Sequence, residues 1–121
     1  MLDLILECIN NKEISLVGNP ILIEEMTKYQ VAFDSPTANA LFLLLRQKTS
    51  IIIPKEETIA ECRKYFPETQ FKDILHAATA MDAKAVVLTN DKHFNKIKET
   101  GKLEVWDIPT AINLLQPKNY Q

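Results

Sequence analysis

The chain has 121 residues, 46% of them apolar and 25% charged, the make-up of an ordinary soluble protein with room for one compact domain. A domain of that size buries roughly 65% of its unfolded surface, enough for a true core. The net charge of −2 excludes any global pull toward nucleic acid, so a polyanion would have to be held by a local patch or through a cation.

The two cysteines, Cys8 and Cys62, fall in helical patterns with neither metal-type spacing nor a disulfide framework. Reduced thiols of a cytoplasmic protein are the expectation. The longest apolar run, Leu41 to Leu45, is far too short to span a bilayer, and Asp3 and Glu7 stand where a signal peptide would be basic.

In chain order, residues 2–10 read as a helix with Leu2, Ile5, Leu6 and Ile9 on its apolar stripe. Residues 13–18 (EISLVG) form a strand candidate. Asn19 and Pro20 are an N-cap and an N1 residue, opening a helix to about Gln30. Two adjacent acids part company on it. Glu24 has Lys28 at i+4 and reads as a surface ion pair, whereas Glu25 shares helical spacing with Ile21, Leu22 and Tyr29 and projects from the apolar face. A carboxylate there needs a partner.

Ser35-Pro36 starts a further helix, and residues 50–53 (SIII) form a strand stopped by Pro54. The next helix turns Ile59, Cys62 and Phe66 inward, which makes Cys62 a small core residue. A loop over 65–70, with Thr69 as cap, leads into the stretch Phe71 to Phe94. Phe71, Ile74, Leu75 and Ala78 mark one helix face there, and Ala85 to Thr89 an apolar strand covered on both faces. A short helix then runs toward Thr100 and stops at Gly101. Residues 103–107 are a last strand, 110–115 a closing helix, and 117–121 a tail beyond a single domain of 1–116. Strands alternating with helices imply an α/β fold with a mainly parallel sheet.

Three acids stand out. Asp73 lies in the first turn of its helix, where the dipole favours a carboxylate. Asp91 follows a strand, at the edge where ligands gather in open α/β sheets. Glu25 sits in the helix after another strand. Each alone has a plainer reading as helix start, turn residue or core ion pair. Together at one sheet edge they would repel unless a cation joins them, and Mg²⁺ or Mn²⁺ suits all-oxygen ligands. Directly after Asp91 comes a basic cluster of Lys92, His93, Lys96, Lys98 and Lys102. Within it Lys92, His93 and Lys96 are candidates for contacts to a nucleic-acid backbone.

The segments NPILIEEM (19–26), DILHAATA (73–80) and TNDKHF (89–94) resemble the PIN-domain family of metal-dependent nucleases, and the order of elements matches from about Leu2 to Ile108. The resemblance implies a Rossmann-like three-layer sandwich, one or two Mg²⁺ or Mn²⁺ ions, and hydrolysis of RNA. Glu25, Asp73 and Asp91 match the family's second, third and fourth acidic positions, with Thr89 and Asn90 as supporting polar groups. Members that are toxins of toxin–antitoxin pairs imply an antitoxin protein as partner and a homodimer; a non-catalytic RNA- or protein-binding module is the alternative. Family members open on an apolar strand ending in Asp-x-Asn, which supplies the first acid. Here Met1 leads directly into the helix that normally follows, as in a shortened chain or a divergent member. The expectation is a sheet without its middle strand, with strands 14–18 and 85–89 pairing with each other or with another chain, and a metal with one ligand fewer.

Overall fold

A computed structural model describes residues 1–115, so the expected tail at 117–121 lies outside the described residues. The protein is a mixed α/β domain, mostly helical, with short parallel strands. Helix α1 (Leu2–Asn10) precedes strand β1 (Leu16–Gly18). Helices α2 (Pro20–Phe33) and α3 (Pro36–Lys48) form a hairpin that returns the chain to β2 (Thr49–Ile51). Helices α4 (Glu56–Arg63) and α5 (Phe71–Ala83) lead to β3 (Val87–Leu88). A 3₁₀ turn (Lys92–Phe94) runs into α6 (Asn95–Glu99), followed by β4 (Val105–Trp106) and α7 (Ile108–Leu115).

Local chemistry sets most of these boundaries. Asn19 Oδ1 accepts the Leu22 N–H at 2.8 Å and Ser35 Oγ accepts the Ala38 N–H at 3.1 Å, each just before a proline at the first helical position. Asp107 Oδ1 does the same for the Thr110 N–H at the start of α7. Helix α2 ends where Asp34 turns left-handed at φ +43°, and α5 where Lys84 does so at φ +54°. The Ala85 N–H then returns to the Ala80 carbonyl and aims the chain into β3. Gln70, not Thr69, precedes α5, and it makes no side-chain cap bond.

Two apolar clusters flank the strands. The larger joins Cys62, Phe66, Ile74, Ala77, Ala78, Ala80, Phe94, Ile97, Leu103 and Val105. The smaller joins Leu4, Cys8 and Ala111, with Leu16, Trp106, Ile108 and Ile112 packed against it. Val105 and Trp106 are neighbours in β4 yet belong to opposite clusters, as strand alternation demands. On α5 the buried face is Ile74, Ala77 and Ala78. Phe71, expected on that face, is 49% exposed, because the helix is rotated to bring its small residues against the strands.

Strand pairing differs from the expectation. β1 pairs in parallel with β2 (Leu16 with Thr49, Gly18 with Ile51), and β3 in parallel with β4 (Val87 with Val105, Leu88 with Trp106). The strands at 14–18 and 85–89, expected to pair with each other or with another chain, share no ladder; the described residues form two two-stranded sheets. The run Ala85 to Thr89, expected to be covered on both faces, contains no buried residue, and Leu88 is 37% exposed.

Cys62 is fully buried, and burial, reinforced by the charges of Glu61 and Asp82, pushes its thiol up to about 11. Burial also raises the thiol of Cys8. Since the thiolate is the reactive form, neither cysteine is expected to react with a disulfide-exchange reagent at pH 8 in the native protein. Both should react on unfolding, as a colorimetric thiol titration with and without denaturant will show.

Candidate metal centre

Asp73 comes from the first turn of α5, and Asp91 and His93 from the turn after β3. Asp91 is fixed from both sides. Its N–H donates to Thr89 Oγ1 at 3.0 Å, and its Oδ1 accepts the His93 N–H at 2.9 Å. This short-range bonding is what Asp and Thr do at turns. It also folds the His93 ring back, so that Nδ1 lies 2.9 Å from Asp91 Oδ1 and 3.7 Å from Asp73 Oδ2.

One ligand atom from each of Asp73, Asp91 and His93 lies within 4.8 Å of the others. In an octahedral shell with bonds of about 2.1 Å, adjacent ligand atoms stand about 3 Å apart and opposite ones about 4.2 Å. The two spacings to His93 fall in that range. Asp73 is half-buried, and its Oδ2 is buried with no hydrogen-bond partner. Burial first, and then the charge of Asp91, raises its carboxyl above the ordinary range. The His93 backbone N–H holds Asp91 below that range, its ring adding to the effect. Two carboxylates with opposed shifts and one orphaned oxygen are what a bound cation would reconcile.

Glu25 is close by but engaged elsewhere. Its Oε1 is 2.8 Å from His76 Nε2, and Lys72 Nζ is 4.0 Å from its Oε2. His76 stands three residues after Asp73 on the same side of α5. Its Nδ1 faces Asn19 Nδ2 at 3.2 Å. That amide nitrogen is a donor, since Asn19 Oδ1 is taken by the Leu22 N–H. Nδ1 therefore accepts, and the ring proton sits on Nε2 and donates to Glu25. Asn19 Nδ2 also donates to Thr79 Oγ1 at 2.9 Å, which in turn donates to the Leu75 carbonyl. A line of polar groups thus ties the end of β1 and the start of α2 to α5, and presents Glu25 beside Asp73, whose carboxyl feels its charge.

The three predicted acids are therefore gathered in one region, with Glu25 on His76 and the other two on His93. Thr89 does orient Asp91. Asn90, expected to support the cluster, does not reach it: its Oδ1 accepts the Ile108 N–H at 2.8 Å and anchors α7. Lys92 and Lys96 are exposed beside the site, whereas Lys102 is drawn away to Glu61 and stacks over the Tyr65 ring at 5.6 Å. Glu24 and Lys28 form the expected exposed pair at 3.8 Å. His76 was missed in the sequence, and His93 stands as a cluster member rather than only a backbone contact. The signal was available: His76 is i+3 from Asp73, and His93 is two residues past Asp91. They are the chain's only two histidines, so any imidazole resonance reports on this site alone.

The class defined by fold and site is a mixed α/β domain with a carboxylate–imidazole cluster beside the carboxyl ends of its strands. No family model, curated protein or solved structure matches the chain. Among the described residues no helix is long and apolar enough to cross a membrane.

Proposed function

We propose that the chain is a Mg²⁺- or Mn²⁺-dependent endoribonuclease of PIN type, a cytoplasmic three-layer α/β domain in which Asp73, Asp91 and His93 hold the metal. The observation that carries this reading is the cluster of ligand atoms of Asp73, Asp91 and His93 within 4.8 Å of one another, with a buried, unpartnered Oδ2 on Asp73. A divalent ion bound there supplies Lewis acidity toward a phosphodiester and lowers the pKa of a bound water. Thr89 orients Asp91. Glu25, with its proton-sharing contact to His76, lies where an outer carboxylate can accept a proton or orient a water. Exposed Lys92 and Lys96 suit phosphate contacts, which give affinity without sequence choice.

A fluorescent RNA incubated with the protein is expected to be cleaved with Mn²⁺, spared with excess EDTA, and spared increasingly as salt rises. Equal cleavage in EDTA would remove the metal reading. A non-catalytic RNA- or protein-binding module is the second reading. What favours it is the commitment of Glu25 Oε1 to His76, which leaves two carboxylates and an imidazole for the ion. Binding of RNA without turnover in Mn²⁺ would select it.

The toxin reading and its protein partners draw support from the α2–α3 hairpin. Tyr29, Val31, Phe33, Leu43 and Leu44 are exposed there, and Phe33 stacks on Phe42 with ring centroids 6.3 Å apart. Apolar surface of this kind suits an antitoxin or a second copy. Light scattering on the isolated chain distinguishes a homodimer from a monomer awaiting a partner.

A further inference from the structure

Between α6, β4 and α7 lies an open cavity of about 470 Å³, within the size range of small-ligand sites. Lys98, Glu104, Val105, Trp106 and Thr110 are among its walls, and β3 contributes none of them, so it opens on the free edge of β4. The main chain of β4 decides what that edge can bond. The Val87 and Thr89 N–H groups donate to the Glu104 and Trp106 carbonyls, so residues 104 and 106 face β3. Val105 lies between them, and its N–H and carbonyl point the other way. Among the described residues neither has a hydrogen-bond partner. Val105 is only 6% exposed, and buried main-chain groups are paired as a rule. A donor and an acceptor thus stand side by side at the cavity wall without a complement.

Two side chains complete the wall. Trp106 is half-buried, and its Nε1–H donates to Glu104 Oε2 at 2.8 Å, which fixes the plane of the indole. Lys98 is exposed and forms no ion pair among the described residues. Its nearest acidic influence is on Asp107, whose carboxyl is held below the ordinary range by the Thr110 bonds first and by the charge of Lys98 more remotely. The edge is too short for an added strand, because two paired residues leave a single outward amide pair. A compact planar ligand suits it better. Every nucleobase presents a donor beside an acceptor on its Watson–Crick edge and a face that stacks on an aromatic ring, and it comes with a phosphate that an ammonium can hold. The location agrees. The Trp106 carbonyl accepts from Thr89, whose hydroxyl orients Asp91. Exposed Lys92, Lys96 and Lys98 line the segment from Asp91 to the cavity, a 3₁₀ turn and short helix that span roughly 12 Å.

We propose that this cavity is a subsite for one nucleotide of a single-stranded RNA, with the base against Trp106, its Watson–Crick edge on the Val105 amide pair, and its phosphate on Lys98. Main-chain groups accept such an edge from any of the four bases, so the subsite fixes where a strand lies rather than which sequence it carries. That the nucleotide belongs to RNA rests on the nuclease reading; the site itself does not, so it is measured in EDTA, apart from cleavage.

Trp106 is the only tryptophan of the chain, so its fluorescence reports on this cavity alone. The probes are adenosine, adenosine 5′-monophosphate, its N6,N6-dimethyl derivative and a tetra-adenylate RNA. The monophosphate is expected to quench the fluorescence saturably and to shift the Val105 amide resonance. Adenosine on the parent, and the monophosphate on Lys98→Ala, should each bind about tenfold more weakly. The dimethyl derivative stacks equally well but has lost its edge donor, so it too should bind about tenfold more weakly and leave the Val105 amide in place. The tetranucleotide should bind on the order of tenfold more tightly than the monophosphate. Four outcomes overturn the proposal: no quenching by monophosphate or tetranucleotide; equal affinity for the dimethyl derivative; undiminished affinity in Lys98→Ala; or a tetranucleotide no tighter than the monophosphate, which would make a free nucleotide the ligand. Cleavage of RNA in Mn²⁺ without these responses sinks the subsite alone, and these responses without cleavage sink the nuclease reading alone.

Discussion

Asp73→Asn is expected to lower Mn²⁺-dependent RNA cleavage by about a hundred- to a thousandfold, roughly 3–4 kcal/mol of barrier, without unfolding the domain. The amide keeps the shape of the side chain but removes the charge nearest the proposed ion. It also removes an internal strain. Burial, then the charge of Asp91, raises the Asp73 carboxyl above its ordinary range. Its pKa in the folded state thus exceeds that in the unfolded state. The associated stability is fully present below the unfolded value and is lost as pH rises through the folded one. At neutral pH the ionised carboxylate is therefore a standing cost, and Asn should melt at the same temperature as the parent or slightly above it. A saturating metal reverses the comparison for the parent alone. At a hundredfold excess over its dissociation constant it adds about 2.7 kcal/mol. Parallel thermal melts with and without Mn²⁺, beside the cleavage assay, read both quantities. Normal cleavage, or an undiminished Mn²⁺ shift in Asp73→Asn, contradicts the assignment.

Asn19→Ala should be the most destabilising single polar substitution. Asn19 is 2% exposed, and its side chain caps α2 through Leu22 while donating to Thr79 and His76. Losing the cap costs about 1 kcal/mol. Leaving the Leu22 N–H and His76 Nδ1 without partners beside a new void adds roughly 1–3 kcal/mol. A total of about 2–4 kcal/mol corresponds to a melting point lower by roughly 10 °C in a domain of this length. Differential scanning calorimetry checks it. The same change frees the His76 ring and with it Glu25, so Asn19→Asp, which keeps the cap and removes the donor, separates stability from site geometry. A calorimetric loss under 1 kcal/mol for the alanine would show that this polar line is not holding β1, α2 and α5 together.

Helix positions were legible in the sequence because their signals are local. Asn19-Pro20 and Ser35-Pro36 start α2 and α3 where the caps say, and residues 2–10 form α1, although its buried face is Leu4 and Cys8 rather than the expected stripe, of which Leu2 and Leu6 are exposed. The separation of Glu24 from Glu25 was legible for the same reason: one residue turns a side chain by 100° around a helix. Strand extents were not. Residues 85–89 read as a doubly covered strand, yet only Val87 and Leu88 are paired, with Val105 and Trp106, and none of the five is buried. The region of the candidate site was legible from three acids at helix and strand ends, but its membership was not. Whether Glu25 turns toward a cation or toward His76 depends on where α5 brings His76, 51 residues further along the chain, a long-range relation that no spacing encodes. The role of Asn90 is similar. A turn asparagine can face either way, and here α7 supplies an N–H that claims it.

The division of the strands into two pairs has a kinetic consequence. β1 through β2 is one crossover closed by α2 and α3, and β3 through β4 is another closed by α6. Each can complete its own ladder using only its own stretch of polypeptide, so neither has to wait for the other. Packing of α5 on β1 and of α1 on α7 then joins the two halves. Pulse-labelled exchange during refolding should show Gly18 and Val87 acquiring protection in separate phases, with Cys8 and Ala111 following both.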